Sequence, residues 1–116
     1  MCYAAYTKGT SALLSAILAA AEQYNIRGEL NQQWDMDESG VAEQTERRVR
    51  RVTAKAWRFA GEMDEIAATF AAVGLPSGFH ESAGEIFRRM ANFKDSLTLP
   101  ELEDVLASLQ KQTPAV

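Results

Sequence analysis

Residues that build disulfide frameworks and metal sites are nearly absent from this sequence. Cys2 is the only cysteine and His80 is the only histidine among its 116 residues. A disulfide framework needs paired cysteines, and a zinc site needs several cysteine or histidine ligands. The sequence therefore excludes both within one chain, and we expect no bound metal. A catalytic role for Cys2 is also disfavoured, because no positioned base accompanies the thiol.

Strand-forming residues and nucleotide-binding motifs are also scarce. Nineteen alanines stand against ten valines and isoleucines together, a ratio that favours helices over a sheet. The sequence contains no G-x-G-x-x-G turn, which a dinucleotide-binding βαβ unit requires. We therefore expect this chain to bind no nicotinamide cofactor or ATP on its own.

The overall charge disfavours a polyanionic partner. Twelve basic and sixteen acidic residues give a net charge of −4, and the isoelectric point is near 5.0. We therefore expect no nucleic-acid partner. Residues 12–21 resemble a short secretory signal, but the run is too short to span a bilayer and continues into polar residues as a packed helix does. We expect a cytoplasmic protein without a membrane partner.

Apolar residues recur at three- and four-residue spacing along most of the chain. This spacing predicts an all-α, single compact domain of five or six helices. The predicted segments are residues 3–24, 29–36, a charged helix from residue 41, 54–73, 78–93 and a last helix after residue 98. Gly28 and Gly74 are predicted breaks, and Thr98 with Glu101 predicts a capping box at the last helix. Residues 113–116 are expected to fray.

The first helix is predicted to be apolar on nearly every side. Its large apolar residues are Tyr3, Tyr6, Leu13, Leu14, Ile17 and Leu18. A helix of about 22 residues is roughly 33 Å long, which a domain of this size does not cover by itself. We therefore expect it to be surrounded by the other helices or by a partner chain.

Six of the twelve basic residues lie between residues 47 and 58. Two acid-first pairs at i,i+4, Glu43 with Arg47 and Glu46 with Arg50, favour a solvent-facing helix flank. The alternative is an anion site, since arginine offers planar paired donors for phosphate or carboxylate. The alternative needs the arginines to converge, which pairing to the two glutamates opposes.

Three groups of residues are candidates for chemistry. Lys8 lies in a hydroxyl-rich start of an apolar helix, where it either contacts an anionic ligand or extends to solvent at the helix start. Glu62, Asp64 and Glu65 form an acidic segment in which Glu62 and Glu65 share one helix face and Asp64 points elsewhere. Such paired acids could do acid–base work or bind a cation, but more often they form a solvated face. His80 follows a turn into a helix, either as a neutral proton donor or bonded to a loop carbonyl.

Four segments together resemble one known domain. They are Met1-Cys2-Tyr3-Ala4-Ala5-Tyr6-Thr7-Lys8-Gly9-Thr10, Lys55-Ala56-Trp57-Arg58, Gly61-Glu62-Met63-Asp64-Glu65-Ile66-Ala67 and Gly74-Leu75-Pro76-Ser77-Gly78-Phe79-His80. The sequence resembles the C-terminal helical domain of NAD-binding phosphogluconate dehydrogenases, in the 6-phosphogluconate and β-hydroxyacid dehydrogenase superfamily. The resemblance covers about residues 1–95, in order and with similar spacing.

The resemblance implies a substrate-binding and dimerisation domain whose Rossmann domain is absent from this chain. The parent enzyme would be an NAD- or NADP-dependent oxidoreductase that moves a hydride from a substrate hydroxyl carbon to the nicotinamide. Its partners would be a hydroxyacid or sugar-acid substrate and a second copy, and this chain alone would be inactive. The alternative from the residues is a non-catalytic helical interaction and dimerisation module.

The resemblance also implies where substrate contacts lie. The family's catalytic lysine position falls just before Met1, and Ala4 occupies the position of the family's asparagine. The implied substrate-binding residues are Tyr3, Thr7, Lys8, His80, Asp64 and Glu65. Lys8 is either an anion-binding residue or, if the register differs, a displaced catalytic lysine. Asp64 and Glu65 replace a lysine–aspartate pair of the β-hydroxyacid branch.

Overall fold

The computed structural model describes residues 1–110, which form six α-helices, two short 3-10 helices and no strand. The α-helices are α1 (Cys2–Gln23), α2 (Arg27–Asp37), α3 (Val41–Val52), α4 (Ala56–Ala72), α5 (Gly78–Arg89) and α6 (Leu102–Gln110). The 3-10 helix Thr53–Lys55 joins α3 to α4, and Ala91–Phe93 follows α5. The predicted all-α multi-helix domain is confirmed. The expected fraying of residues 113–116 lies outside the described residues.

Helix α1 runs through the middle of the domain and contacts each of the other five α-helices. Its buried residues are mostly small: Ala5, Ser11, Ala12, Ser15, Leu18, Ala19 and Ala21. Small side chains let neighbouring helices approach closely, which is how interiors reach their high packing density. The prediction that α1 is surrounded holds for this small-residue surface, whereas Tyr3, Tyr6 and Leu13 remain exposed.

The core is centred on the pairing of α4 with α5 and on the buried side of α1. Phe87 of α5 has no exposed surface, and its ring packs edge-on against Phe59 with 5.7 Å between the ring centroids. Met63, Leu18 and Val49 belong to the same buried core and also have no exposed surface. The predicted buried side of the last helix, Leu102, Val105, Leu106 and Leu109, is confirmed.

Two helix ends show how residue type sets the boundaries. Helix α4 ends as predicted at Gly74, where φ is +81° and the amide of Leu75 bonds to the carbonyl of Phe70. The predicted break at Gly28 is wrong, because Gly28 lies inside α2. The break falls instead at Asn25, whose φ is +58°. Asparagine tolerates this left-handed conformation, so it ends α1 as glycine would.

The predicted Glu46–Arg50 pair is wrong. Glu46 accepts hydrogen bonds from Arg27 and Asn31 of α2, and the Nε of Arg50 donates to the carbonyl of Pro100 at 2.7 Å. Contacts with other elements therefore replace the pair within α3, because one i,i+4 ion pair stabilises a solvated helix by only about 0.2–0.5 kcal/mol. The Glu43–Arg47 pair does form, at 3.0 Å.

The predicted capping box at the last helix is also wrong. Helix α6 begins at Leu102, and the amides of Asp104 and Val105 bond to the carbonyl of Glu101. Glu101 therefore occupies the position before the first helical residue, three residues later than the predicted cap at Thr98. The restriction that Pro100 places on the preceding residue disfavours helix there and moves the start of α6 downstream.

Candidate functional site

Lys8 lies on the surface of α1 that faces α4. Its ammonium forms an ion pair with the carboxylate of Glu62 and lies 4.3 Å from the centroid of the Phe59 ring. The side chain of Lys8 is 26% exposed and that of Glu62 is 41% exposed. The partner anion that the apolar surroundings of Lys8 demanded is thus supplied by the chain itself.

Hydroxyl groups line α1 on both sides of Lys8 at four-residue spacing. The hydroxyl of Thr7 donates to the carbonyl of Tyr3, that of Ser11 to Thr7, and that of Ser15 to Ser11. Each hydroxyl thereby bonds to the preceding turn of its own helix, as serine and threonine do in helix interiors. The oxygen atoms remain able to accept hydrogen bonds from another helix.

Arg48 of α3 uses this acceptor capacity. Its Nε donates to the hydroxyl of Ser11 and its Nη2 to the carbonyl of Thr7, both at 2.8 Å. No carboxylate of residues 1–110 lies within 4 Å of its guanidinium. Residues Thr7, Lys8, Ser11, Arg48 and Glu62 are called the Lys8 cluster below. The cluster holds two cations and one carboxylate.

Arg48 was not singled out by sequence reasoning. It lay within the basic run, and nothing in the periodicity of α3 distinguished it from Arg47 or Arg51. Arg48 lacks an acidic residue four positions earlier, where Gln44 lies, but Arg51 shares this property because Arg47 precedes it by four positions. Which cation turns toward α1 depended on how α3 packs.

His80 is buried in the first turn of α5, with 8% of its surface exposed. Its Nε2 lies 3.1 Å from the carbonyl oxygen of Ala5. Its ring packs edge-on against Phe70, with 4.8 Å between the ring centroids. The neutral tautomer with a proton on Nε2 donates to this carbonyl. Among the described residues the Nδ1 atom has no hydrogen-bond partner. His80 therefore bonds to a carbonyl, as one of its two predicted roles required, but that carbonyl belongs to α1 and not to a loop.

A groove of about 700 Å³ lies along the first two-thirds of α1 and most of α5. Its lining includes Tyr6, Gly9, Leu13, Phe79, His80 and Ile86. No lysine, arginine, aspartate or glutamate of the described chain lines it. Tyr6, Leu13 and Phe79 are each 60–76% exposed at its rim. This α1–α5 groove is an apolar surface without charge.

Gly9 makes the contact between α1 and His80 possible. A Cβ at Gly9 would lie 3.1 Å from His80 Nε2, whereas a Cβ at Gly28 in α2 would meet nothing within 4 Å. His80 is held by Ala5 and Phe70 and cannot move away freely. We predict that the free energy of unfolding of Gly9→Ala is about 1–3 kcal/mol lower than that of Gly28→Ala, since this is the usual cost of overpacking. Urea denaturation of the two variants measures this, and equal stability would contradict the close contact.

Asp64 and Glu65 have separate surroundings. Asp64 accepts two hydrogen bonds from the guanidinium of Arg88, the shorter at 2.9 Å, which raises the pKa of Arg88. The Asp64–Arg88 ion pair lies over Gly84, where an added Cβ would come within 2.9 Å of the Asp64 carboxylate. Glu65 is exposed, and its carbonyl accepts a hydrogen bond from Thr69.

The structure divides the predicted site residues into separate groups. Thr7 and Lys8 lie together in the Lys8 cluster, whereas His80 lies against the α1–α5 groove, which Lys8 does not line. Tyr3 is 77% exposed, and the centroid of its ring lies 6.4 Å from that of the Tyr6 ring. The role of each residue in binding substrate remains a prediction.

Two further observations concern residues 1–110 alone. No three side chains of the metal-ligating types gather there as a cation site would require. None of the helices described is both long and apolar enough to cross a membrane.

The fold and the site define an all-helical domain that carries a cationic cluster on one side of its central helix and an uncharged groove on another. Residues 21–90 match a family described as "Domain of unknown function (DUF1932)", which is more than half of the chain. The chain therefore belongs to this family. No curated protein and no solved structure matches it.

Proposed function

We propose that this chain is the substrate-binding and dimerisation domain of an NAD(P)-dependent dehydrogenase that acts on a hydroxyacid or a sugar acid. The resemblance of four segments to such enzymes and membership in an all-helical domain family support the proposal. The observation that carries it is the Lys8 cluster. Two cations with one carboxylate leave a positive charge at the start of α1, where the resemblance puts substrate contacts.

The cluster suits a carboxylate or phosphate group of a substrate. Lys8 is a flexible point charge that can leave Glu62 for an arriving anion, because both side chains are partly exposed and such pairs contribute only about 0–1 kcal/mol. Arg48 is fixed by its bonds to Ser11 and Thr7, so its remaining N–H groups are pre-oriented. Hydride transfer would take place at the nicotinamide of a separate Rossmann domain, with NAD or NADP as the cofactor.

The proposal is tested by titrating the 116-residue chain with gluconate and 6-phosphogluconate, followed by amide and arginine Nε chemical shifts. We predict weak binding, with a dissociation constant on the order of millimolar, since only part of a substrate site is present. Shifts should centre on residues 7–11 and on Arg48. Lys8→Met should weaken binding at least about fivefold, and Glu62→Gln should strengthen it by freeing Lys8.

Arg47→Met is the matched control, because it removes one cation that pairs with Glu43 outside the cluster. Equal weakening by Arg47→Met and Lys8→Met would reduce the effect to net charge and contradict the proposal. No shifts up to tens of millimolar ligand would contradict it as well. Calorimetry of the same chain with NAD and NADPH should show no binding, and tight binding would refute the assignment of cofactor chemistry to a separate domain.

The second candidate is a non-catalytic helical interaction and dimerisation module, favoured by the α1–α5 groove. A groove without charged residues, rimmed by exposed Tyr6, Leu13 and Phe79, resembles the apolar centre of an interface. Both candidates predict a homodimer, and only the dehydrogenase domain predicts anion binding at Lys8. The gluconate titration therefore separates them.

A further inference from the structure

The cations without a carboxylate partner are concentrated in one stretch of the sequence. Among residues 1–110, the cations with a carboxylate oxygen within 4 Å are Lys8, Arg27, Arg47, Arg88 and Arg89. The described cations outside this group are Arg48, Arg50, Arg51, Lys55, Arg58 and Lys94. All but Lys94 lie between residues 48 and 58. A surface shaped for solubility alone interleaves charges of both signs, so this segregation is informative.

Four of these unpaired cations are exposed, and one of them lies against the ring of Trp57. Arg51, Lys55, Arg58 and Lys94 are all exposed, whereas Arg48 and Arg50 turn toward backbone and hydroxyl oxygens. The ammonium of Lys94 lies 4.2 Å from the centroid of the Trp57 ring, and Trp57 is 42% exposed. We name Arg51, Lys55, Trp57, Arg58 and Lys94 the basic-aromatic surface.

Few carboxylates oppose this surface. Asp95 follows Lys94 and is exposed, and its amide bonds to the carbonyl of Ala54, which brings this segment against the turn between α3 and α4. Glu62 lies one helical turn beyond Arg58, but Lys8 engages it. The Glu46–Arg50 contact that would have neutralised part of the basic run does not form. A local positive field therefore persists on a chain whose net charge is −4.

We propose that the basic-aromatic surface binds an acidic segment of a partner protein, with Trp57 as its apolar anchor. The cations do not converge on one point: Arg51, Lys55 and Arg58 are spread over two helical turns, roughly 10 Å, and Lys94 comes from another segment. Such spacing suits successive carboxylates along a peptide more than a single phosphate. Aromatic and arginine side chains are the residue types that dominate protein interfaces.

Nucleic acid is the competing polyanion, and the charge distribution disfavours it. A nucleic acid extends beyond a surface of this size and meets the rest of an acidic molecule, whereas a short acidic peptide contacts the cations alone. The inference is independent of the proposed dehydrogenase role, because it uses neither the Lys8 cluster nor the α1–α5 groove.

The test uses a fluorescein-labelled octapeptide, Glu-Asp-Glu-Leu-Glu-Asp-Phe-Glu, and the full chain with Trp34→Phe, which leaves Trp57 as the single tryptophan. We expect saturable anisotropy, a change in Trp57 fluorescence and amide shifts confined to residues 51–58 and 92–95. Raising the salt concentration from 50 to 500 mM should weaken binding about tenfold or more, because these charges are exposed. Lys55→Gln with Arg58→Gln should weaken it by a similar factor.

Gln23→Glu with Gln32→Glu is the matched control, because it changes the net charge by the same amount on exposed positions of other elements. It should retain the affinity for the peptide within about twofold. Equal losses in the two double variants, shifts mapped to other residues, or no saturation at millimolar peptide would overturn the proposal. Tighter binding of a twelve-nucleotide single strand at the same surface would overturn it too, in favour of nucleic acid.

Discussion

Phe87→Ala is expected to reduce the free energy of unfolding by about 3–5 kcal/mol, the usual cost of deleting a buried phenylalanine. Phe87 has no exposed surface and contacts Phe59 edge-on at 5.7 Å between centroids. Its removal leaves a cavity between α4 and α5, the most extensively packed pair of helices. Since domains of this size have total stabilities of about 5–15 kcal/mol, the loss would leave the fold marginal.

Phe79→Ala is the matched control, because it deletes the same side chain from the same helix where it is 76% exposed. Its effect on the monomer should stay within about 0.5 kcal/mol. Urea denaturation followed by circular dichroism at 222 nm measures both variants. Two protein concentrations separate the stability of the monomer from any contribution of association. Comparable losses for the two variants would show that the core is not centred on Phe87.

The second large effect is expected on association. We predict that the chain forms a homodimer through the α1–α5 groove and that Leu13→Glu with Phe79→Glu weakens it at least about a hundredfold. A two-fold axis requires one patch to be complementary to itself. The groove and the exposed Phe79 at its rim supply a cavity and a projecting ring on the same surface. Two carboxylates placed there would have to be desolvated without a cationic partner.

Sedimentation equilibrium over a range of protein concentrations measures the dissociation constant. Leu97→Glu with Leu99→Glu is the control, since Leu97 is fully exposed, Leu99 is 44% exposed, and neither lines the groove. The control should leave the dimer intact. A wild-type chain that remains monomeric at about 100 µM would contradict the prediction. Dissociation of both double variants would place the interface elsewhere.

Much of the fold could be predicted because local rules decide it. The apolar spacing and Gly74 located five of the helices to within a few residues, since periodicity and left-handed glycine ends act over a few neighbours. The errors fall at helix ends, where two nearby residues could each terminate or begin the helix. Asn25 ended α1 in place of Gly28, and the turn around Pro100 displaced the cap expected at Thr98.

The candidate site was less predictable, because its contacts join residues far apart in the chain. Lys8 was identified from its apolar surroundings, but its partner Glu62 lies 54 positions away. Arg48 reaches the same turn of α1 across 37–41 positions. Nothing in the local pattern of α3 selected it from its neighbours. Asp64 was an implied substrate contact, and its partner in the structure, Arg88, lies 24 positions further along the chain.

The sequence by itself determined the all-helical class of the fold, the lack of residues for a disulfide framework or a zinc site, and the positions of the charged residues along the chain. These properties follow from composition and from periodicity over one or two turns. The tertiary structure alone decided which cations have carboxylate partners on other helices, which surface of α1 remains open and how His80 is bonded. Those outcomes depend on the direction in which each helix packs, because a contact between helices is chosen by crossing geometry and not by spacing along the chain.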